Sequence, residues 1–351
     1  MAKRGFPVDA EKWVDLRSDT VTRPTPAMYQ AMMDADLGDD VLGDEPTVAR
    51  LERLAAEMVG KEAALFVPSG TMGNQIALAV HCRPGDAVLF EEEAHMLYYE
   101  VGAPGAIAGV VSWTLPSDDG GPAVEDFARH CRPASLHTPG TKLICLENSH
   151  NRKGGTVISL EKHRAYGALG DERGVKIHLD GARVFNAAAA MGVEVREIAA
   201  TVDTVNFCLS KGLRSPVGSL LCGSGAFIEE ARIWRKRLGG GMRQSGLLAA
   251  CGLVSLTQEV ARLSQDHARA RRVAEAIHNL GVGASVELDR VQTNIVLIHV
   301  DDSAKWASAL EAEGVLAIPF SATTLRLVFH ADIDDGQAGR AVQAFAKVGR
   351  P

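Results

Sequence analysis

Short apolar runs recur through the first two-thirds of the chain, each closed by a polar or glycine-containing turn and followed by a stretch with helical spacing. AALFVP, AVLF, GVVSWTLP, KLICLENS, VKIHL and the run Val205 to Leu209 are too short for buried helices and rich in β-branched residues, so they read as strands. Between them, Val48, Leu51, Leu54, Ala55 and Met58 recur at helical spacing. Asp44 is the expected N-cap, Pro46 sits in the first turn and Gly60 ends the helix. Gln75 to Cys82, AVEDFARHC and SLEKHRAYGALGDERG predict further helices. This alternation of strand and helix predicts a mostly parallel sheet with helices on both faces.

Beyond SPVGSLLCGS the pattern changes. AFIEEARIWRKRLGGGMRQSG is helical, carries the basic cluster Arg232, Arg235, Lys236 and Arg237, and ends in glycines. Leu247 to Leu280 reads as a long, mostly helical connector. The remainder reads as strand VELDR, strand NIVLIHV, helix SAKWASALEAEGV, strands LAIPF and TLRLVFH, and helix DGQAGRAVQAFAKV, which is a small α+β domain. The expected division is an arm and loop over 1–22, a large domain over 23–250, and a connecting helix with a small domain over 251–351. A chain of 351 residues suits more than one domain.

Composition narrows the class. The formal net charge is −7 and no basic stripe is present, which argues against nucleic acid as a partner. No apolar run reaches the length of a membrane span, and MAKRGFPVDAEKW lacks the apolar core of a secretory signal. The six cysteines form no C-x-x-C pair, and Cys145, Cys208 and Cys222 lie inside strand-like runs. They read as reduced, buried thiols of a cytoplasmic protein.

Candidate chemistry centres on residues 175–219. The run Val175 to Leu179 ends in Asp180, and Val205 to Leu209 ends in Ser210-Lys211-Gly212, with Lys211 31 residues after Asp180. That spacing is about one strand–helix–strand unit, so an acid and an amine would sit at neighbouring strand ends. In parallel sheets ligand sites lie outside the carboxyl ends of the strands. Such a pair can hold pyridoxal 5'-phosphate (PLP), with the lysine on the aldehyde as a Schiff base and the carboxylate on the pyridinium nitrogen. Ser69-Gly70-Thr71-Met72-Gly73-Asn74, between a strand and a helix, would expose backbone N–H groups suited to phosphate. A tight turn without a ligand explains the same residues, and both common nucleotide fingerprints fail. No ligand cluster demands a metal.

Eight motifs stand in one order: DLRSDTVTRP, GDDVLGDEPTV, PSGTMGN, EAHMLYYE, LENSHNRKGG, HLDGARVFNA, CLSKGLRSPVGS and GGGMRQSG. In these the chain resembles the L-threonine aldolase family of the fold-type-I (aspartate-aminotransferase-like) PLP-dependent enzymes. The resemblance implies a three-layer α/β large domain with a small α+β C-terminal domain. It also implies PLP as cofactor and a homotetramer with shared active sites. The implied activity is retro-aldol cleavage of L-threonine, L-allo-threonine and other β-hydroxy-α-amino acids to glycine and an aldehyde. β-Elimination or racemisation on the same residues is the alternative.

By the same resemblance Lys211 carries the cofactor, Asp180 pairs with its ring nitrogen, and Ser69, Gly70 and Thr71 cradle its phosphate. His95 stacks over the ring, and His95 and His137 are the candidate bases. Arg183, Arg326 and Ser18 hold the substrate carboxylate, since a guanidinium fork binds a carboxylate with two bonds. The Arg235–Lys236–Arg237 cluster is a candidate phosphate contact from a neighbouring subunit, and His150 is structural.

Overall fold

The computed structural model describes residues 13–349. The chain divides into two compact units, one of Arg23–Leu263 and one that joins the segment up to Thr22 with the segment from Ser264 onward. Most of the polar arm expected at the N-terminus lies outside the described residues.

The larger unit is built on seven strands: β1 (Ala63–Val67), β2 (Ala87–Glu91), β3 (Val111–Leu115), β4 (Thr141–Glu147), β5 (Lys176–Asp180), β6 (Thr204–Cys208) and β7 (Ser219–Gly223). Their order across the sheet is β1-β7-β6-β5-β4-β2-β3. The strands from β6 to β3 pair in parallel, as the alternation predicts. β7 is antiparallel to both β6 and β1. The exception has a local cause: β6 and β7 are joined by a loop without a crossover helix, and only antiparallel neighbours can be joined that way.

Alternate residues feed the two faces of the sheet. Leu89, Ile144, Leu146, Ile177 and Leu179 pack with the helices Pro46–Val59, Leu160–Arg173 and Val184–Met191. Val88, Phe90, Leu143 and Cys145 pack with Leu78 and Ala79 of the helix Gly70–His81. Both faces are thus covered, which is why the central strands read as nearly unbroken apolar runs. The cap of Pro46–Val59 falls one residue later than expected: the Glu45 carboxylate accepts the Thr47 N–H at 3.2 Å, while Asp44 accepts from the Asp39 N–H at 2.6 Å.

The expected boundary at residue 250 moves to Leu263. Cys251 and Val254 pack with Met28, and Leu256 and Leu263 belong to the main core of the larger unit. The smaller unit holds an antiparallel sheet of Ile318–Ser321, Thr324–Val328 and Ile295–His299, in that order, and Val14–Asp15 pairs in parallel with Val315–Leu316. VELDR is not the expected strand. Its Leu288–Arg290 segment forms a short turn, closed by Arg290 N–H on the Glu287 carbonyl and Val291 N–H on the Leu288 carbonyl, both at 3.0 Å, and the Arg271 guanidinium donates to the Leu288 carbonyl at 2.6 Å. Among the described residues no helix is long and apolar enough to cross a membrane, and all six cysteines are buried and unpaired.

Candidate active site

Asp180 ends β5, Glu147 ends β4 and Glu91 ends β2, so three buried acids line one edge of the sheet, with Glu147 and Asp180 in direct register. Buried carboxylates are costly unless hydrogen-bonded, and each of these is. Asp180 accepts the Ala182 N–H at 3.1 Å and the Asn74 amide at 2.8 Å. Glu147 accepts the backbone N–H of His95 at 2.6 Å and that of Asn151 at 2.8 Å. Glu91 accepts from Ser117 at 3.0 Å and from His150 Nε2 at 3.0 Å. His95 therefore stands at the carboxyl edge because Glu147 holds its backbone there, at the first residue of the short helix His95–Tyr98. Its Nδ1 lies 3.1 Å from Glu100 and 3.8 Å from Asp180. Burial works against the imidazolium, but the Glu100 hydrogen bond and the charges of Asp180 and Glu147 outweigh it and raise the His95 pKa, against an opposing contribution from Lys211.

Lys211 is half-buried in the loop between β6 and β7. The base of that loop is closed by Leu209 N–H on the Gly218 carbonyl at 3.0 Å and Ser215 N–H on the Leu209 carbonyl at 3.1 Å. Gly218 is obligatory there: its φ is +107° and a Cβ would fall 2.4 Å from Phe66. Asp180 thus ends one strand and Lys211 follows its parallel neighbour, as their spacing predicts.

The helix Gly70–His81 starts beside them. Ser69 caps it by accepting the Met72 N–H at 3.2 Å. The N–H groups of Gly70 and Thr71 fall in the first turn, where no intrahelical acceptor exists, and Ser69 and Thr71 are exposed. Asn206, on β6, ties the helix down by donating to the Gly70 carbonyl at 2.8 Å and to Asn74 at 2.9 Å. The approach is so close that a Cβ on Gly73 would sit 2.3 Å from Asn206 and one on Gly70 2.9 Å from the Cys208 sulfur. The small residues of this turn are therefore required by packing as well as suited to an anion.

Arg183 is buried, three residues past Asp180, where the helix Val184–Met191 begins. Ser18 and Arg326 belong to the smaller unit. Ser18 Oγ accepts from the Thr20 N–H at 3.2 Å, and Arg326 donates to the carbonyl of the adjacent Arg17 at 3.3 Å, so these two distant segments meet. His150 is enclosed between Glu91 and, at 3.7 Å, Glu147.

Two sequence expectations are displaced within this chain. His137 is exposed in the loop that enters the amino end of β4, the edge opposite Glu147 and Asp180. Its N–H bonds to Ser135 at 3.2 Å, and Ser135 N–H to the Thr138 carbonyl at 2.9 Å, which folds the loop on itself there. Arg235 does not point to solvent: it is buried, 2.6 Å from Asp40 and donating to the Phe66 carbonyl at 2.8 Å.

Sequence reasoning missed Glu100, Gln75 and the bridging role of Asn74. Asn74 and Glu100 lie inside the PSGTMGN and EAHMLYYE motifs; for Asn74 and Gln75 the available signal was a polar side chain on the buried face of a largely apolar helix, and Glu100, past the end of the helix His95–Tyr98, carried none. Chemically, the edge offers a buried acid for a protonated nitrogen, an amine for a carbonyl, an exposed helix start for an anion and an imidazole for proton transfer.

Residues 15–303 match the β-eliminating lyase family. The chain is 44% identical over 345 residues to the probable low-specificity L-threonine aldolase 2 of Arabidopsis thaliana, spanning 95% of this chain and 97% of that one. It is 41% identical over 327 residues to the low specificity L-threonine aldolase of Escherichia coli (strain K12), spanning 92% and 96%. Among solved structures, a putative L-allo-threonine aldolase from Listeria monocytogenes EGD-E covers 97% of this chain, and 98% of its own, with a TM-score of 0.79 at 20% identity. At that identity the likeness speaks for the fold, which is that of the fold-type-I enzymes.

Proposed function

The chain belongs to the low-specificity L-threonine aldolases within the β-eliminating lyase family, and from that premise we propose that it is a PLP enzyme splitting L-threonine, L-allo-threonine and other β-hydroxy-α-amino acids into glycine and an aldehyde. The observation that carries this reading is the buried Asp180 and the Lys211 loop at neighbouring strand ends, beside the exposed start of the helix Gly70–His81. That donor set fits PLP at all three of its ends. Asp180 would hold the ring N–H, Lys211 the aldehyde carbon, and the Ser69–Gly70–Thr71 turn the phosphate. When bound, PLP supplies an electron sink for the pair left at Cα when the Cα–Cβ bond breaks.

The chain's own residues do the rest. Arg183 of the larger unit is the candidate to bind the substrate carboxylate, and the family resemblance gives Arg326 and Ser18 of the smaller unit the same role; holding the carboxylate fixes the Cα–Cβ bond as the one to break. A histidine takes the β-hydroxyl proton, so that carbon leaves as an aldehyde, and a proton returned to Cα completes glycine. His95 is the first candidate, because it stands on the edge that carries Asp180. His137 joins the reading as a residue lent to a neighbouring subunit's site. Lys236 and Arg237 are the remaining members of the basic cluster for a phosphate contact of the same kind. We read the assembly as a homotetramer with shared sites. Met33 at 81%, Leu42 at 75% and Val101 at 95% exposure leave apolar surface on the larger unit that such an assembly would cover. Six buried thiols favour the cytoplasm.

The cofactor reading is tested by spectroscopy. Protein supplied with PLP should gain a visible absorbance that Lys211→Ala lacks. No such band in the wild type would overturn the reading.

A further inference from the structure

We propose that Glu100 is a positioning residue for His95: its carboxylate claims the ring's Nδ1 and reserves Nε2 as the nitrogen that exchanges a proton with substrate. The inference rests on the aldolase reading for its purpose, but its physical basis is a connected series of hydrogen bonds around a buried carboxylate.

Glu100 is 4% exposed. Its Oε1 accepts from Asn74 Nδ2 at 2.9 Å and from His95 Nδ1 at 3.1 Å, and its Oε2 accepts from Gln75 at 2.6 Å. Asn74 and Gln75 lie on the helix Gly70–His81, so Glu100 ties His95 to the same helix whose start is the candidate phosphate site.

The orientation of Asn74 follows from its neighbours. Its Nδ2 faces two carboxylates, Asp180 at 2.8 Å and Glu100 at 2.9 Å, which can only accept. Its Oδ1 must then accept, from Asn206 Nδ2 at 2.9 Å and from His178 Nε2 at 3.2 Å. His178 is thereby the Nε2–H tautomer, and its Nδ1 accepts from the Thr204 hydroxyl at 2.9 Å. Thr204 in turn accepts from His81 Nε2 at 2.9 Å. Burial pushes the His178 pKa down to about 3 and that of His81 down to about 4, consistent with both rings being neutral donors. The His81, Thr204, His178 and Asn74 hydrogens thus run one way along this series, toward the two carboxylates.

One amide cannot neutralise two buried carboxylates. Burial, with the charge of Asp180 added, raises the Glu100 pKa. The His95 ring is the group placed to answer them. The charged groups facing it are Glu100, Asp180 on β5, Glu147 on β4 and Lys211 in the β6–β7 loop, with the Tyr99 ring 5.4 Å away. Only Glu100 among them takes a hydrogen bond from a ring nitrogen. A free histidine prefers its hydrogen on Nε2. Here the carboxylate holds it on Nδ1, and Nε2 becomes the nitrogen that titrates.

The test is NMR of the full-length protein carrying isotope-labelled histidine, titrated in pH as wild type, Glu100→Gln and Glu100→Asp. Wild-type His95 should keep Nδ1–H in its neutral form. Glu100→Gln should lower the His95 pKa by about 1–2 units, and Glu100→Asp by less, because the charge is retained. In threonine turnover Glu100→Gln should lower kcat with KM little changed and move the acid limb of the pH profile the same way as the NMR pKa. A neutral His95 with its hydrogen on Nε2 in the wild type overturns the proposal even if no variant folds. An unchanged His95 pKa in a folded Glu100→Gln protein does so as well. Neither readout depends on the product formed, so failure of the aldolase reading would show separately, as absence of glycine.

Discussion

At the carboxyl edge of the central sheet, Asp180, Glu147 and Glu91 are buried and each carboxylate is hydrogen-bonded. At the amino edge of the same strands, charge is carried by Lys176 and Asp203, 2.6 Å apart with side chains 61% and 33% exposed. The strands and their packing are shared, so what differs is the solvent. Carboxylates without water must be held by placed donors, and placed donors fix geometry and charge. An exposed pair fixes little, because water screens it and either side chain can leave. The edges therefore differ in what a substitution can break.

The largest effect falls on the loop at the carboxyl edge. Lys211→Ala should cost roughly 10³-fold or more in threonine cleavage with the fold intact, read by steady-state kinetics and circular dichroism. Gly73→Ala comes next, since its methyl would displace Asn206 from both Gly70 and Asn74. A loss of about 1–3 kcal/mol in denaturant unfolding is expected. Gly105→Ala, with nothing within 4 Å of the added methyl, should cost less than Gly73→Ala.

Acid should also find the buried histidines. Burial lowers the pKa of His81 and His163 to about 4 and of His178 to about 3. The unfolded chain binds protons at these sites first, from about pH 6.5 downward, so stability is present above that pH and falls as pH drops toward 4. His178→Asn should flatten that slope in Tm measured from pH 7 to 5.

The smallest effect belongs to the amino edge. Lys176→Ala should change stability by no more than about 0.5 kcal/mol and leave turnover alone. His137 lies on the same edge. If it serves a neighbour's site, His137→Ala and Lys211→Ala subunits, each impaired, should regain activity when mixed, because a mixed oligomer pairs an intact Lys211 with an intact His137. Mixtures no more active than their parts would remove His137 from the site.

How far the chain could be read follows the same division. The strand–helix rhythm and the Asp180–Lys211 spacing were legible because they are local: one crossover unit contains both residues. The reversal at β7 was not, since Ser219–Gly223 carries the same apolar pattern in either direction. Asn74 and Asp180 lie 106 positions apart, and Asn74 and Glu100 lie 26 apart. No spacing rule predicts that one amide bridges both carboxylates. His137 was placed by its nearness in sequence to the motif that ends β4. The strand between them, Thr141–Glu147, is roughly 20 Å long and separates what the sequence sets side by side.

Cleavage of the Cα–Cβ bond of β-hydroxy-α-amino acids at the carboxyl edge is what everything above turns on. The most direct test is to incubate the protein and PLP with L-threonine, L-allo-threonine and phenylserine and to quantify glycine and aldehyde together. Glycine and aldehyde should form in equal amounts from at least threonine or allo-threonine. A 2-oxo acid with ammonia, and no glycine, would contradict that cleavage.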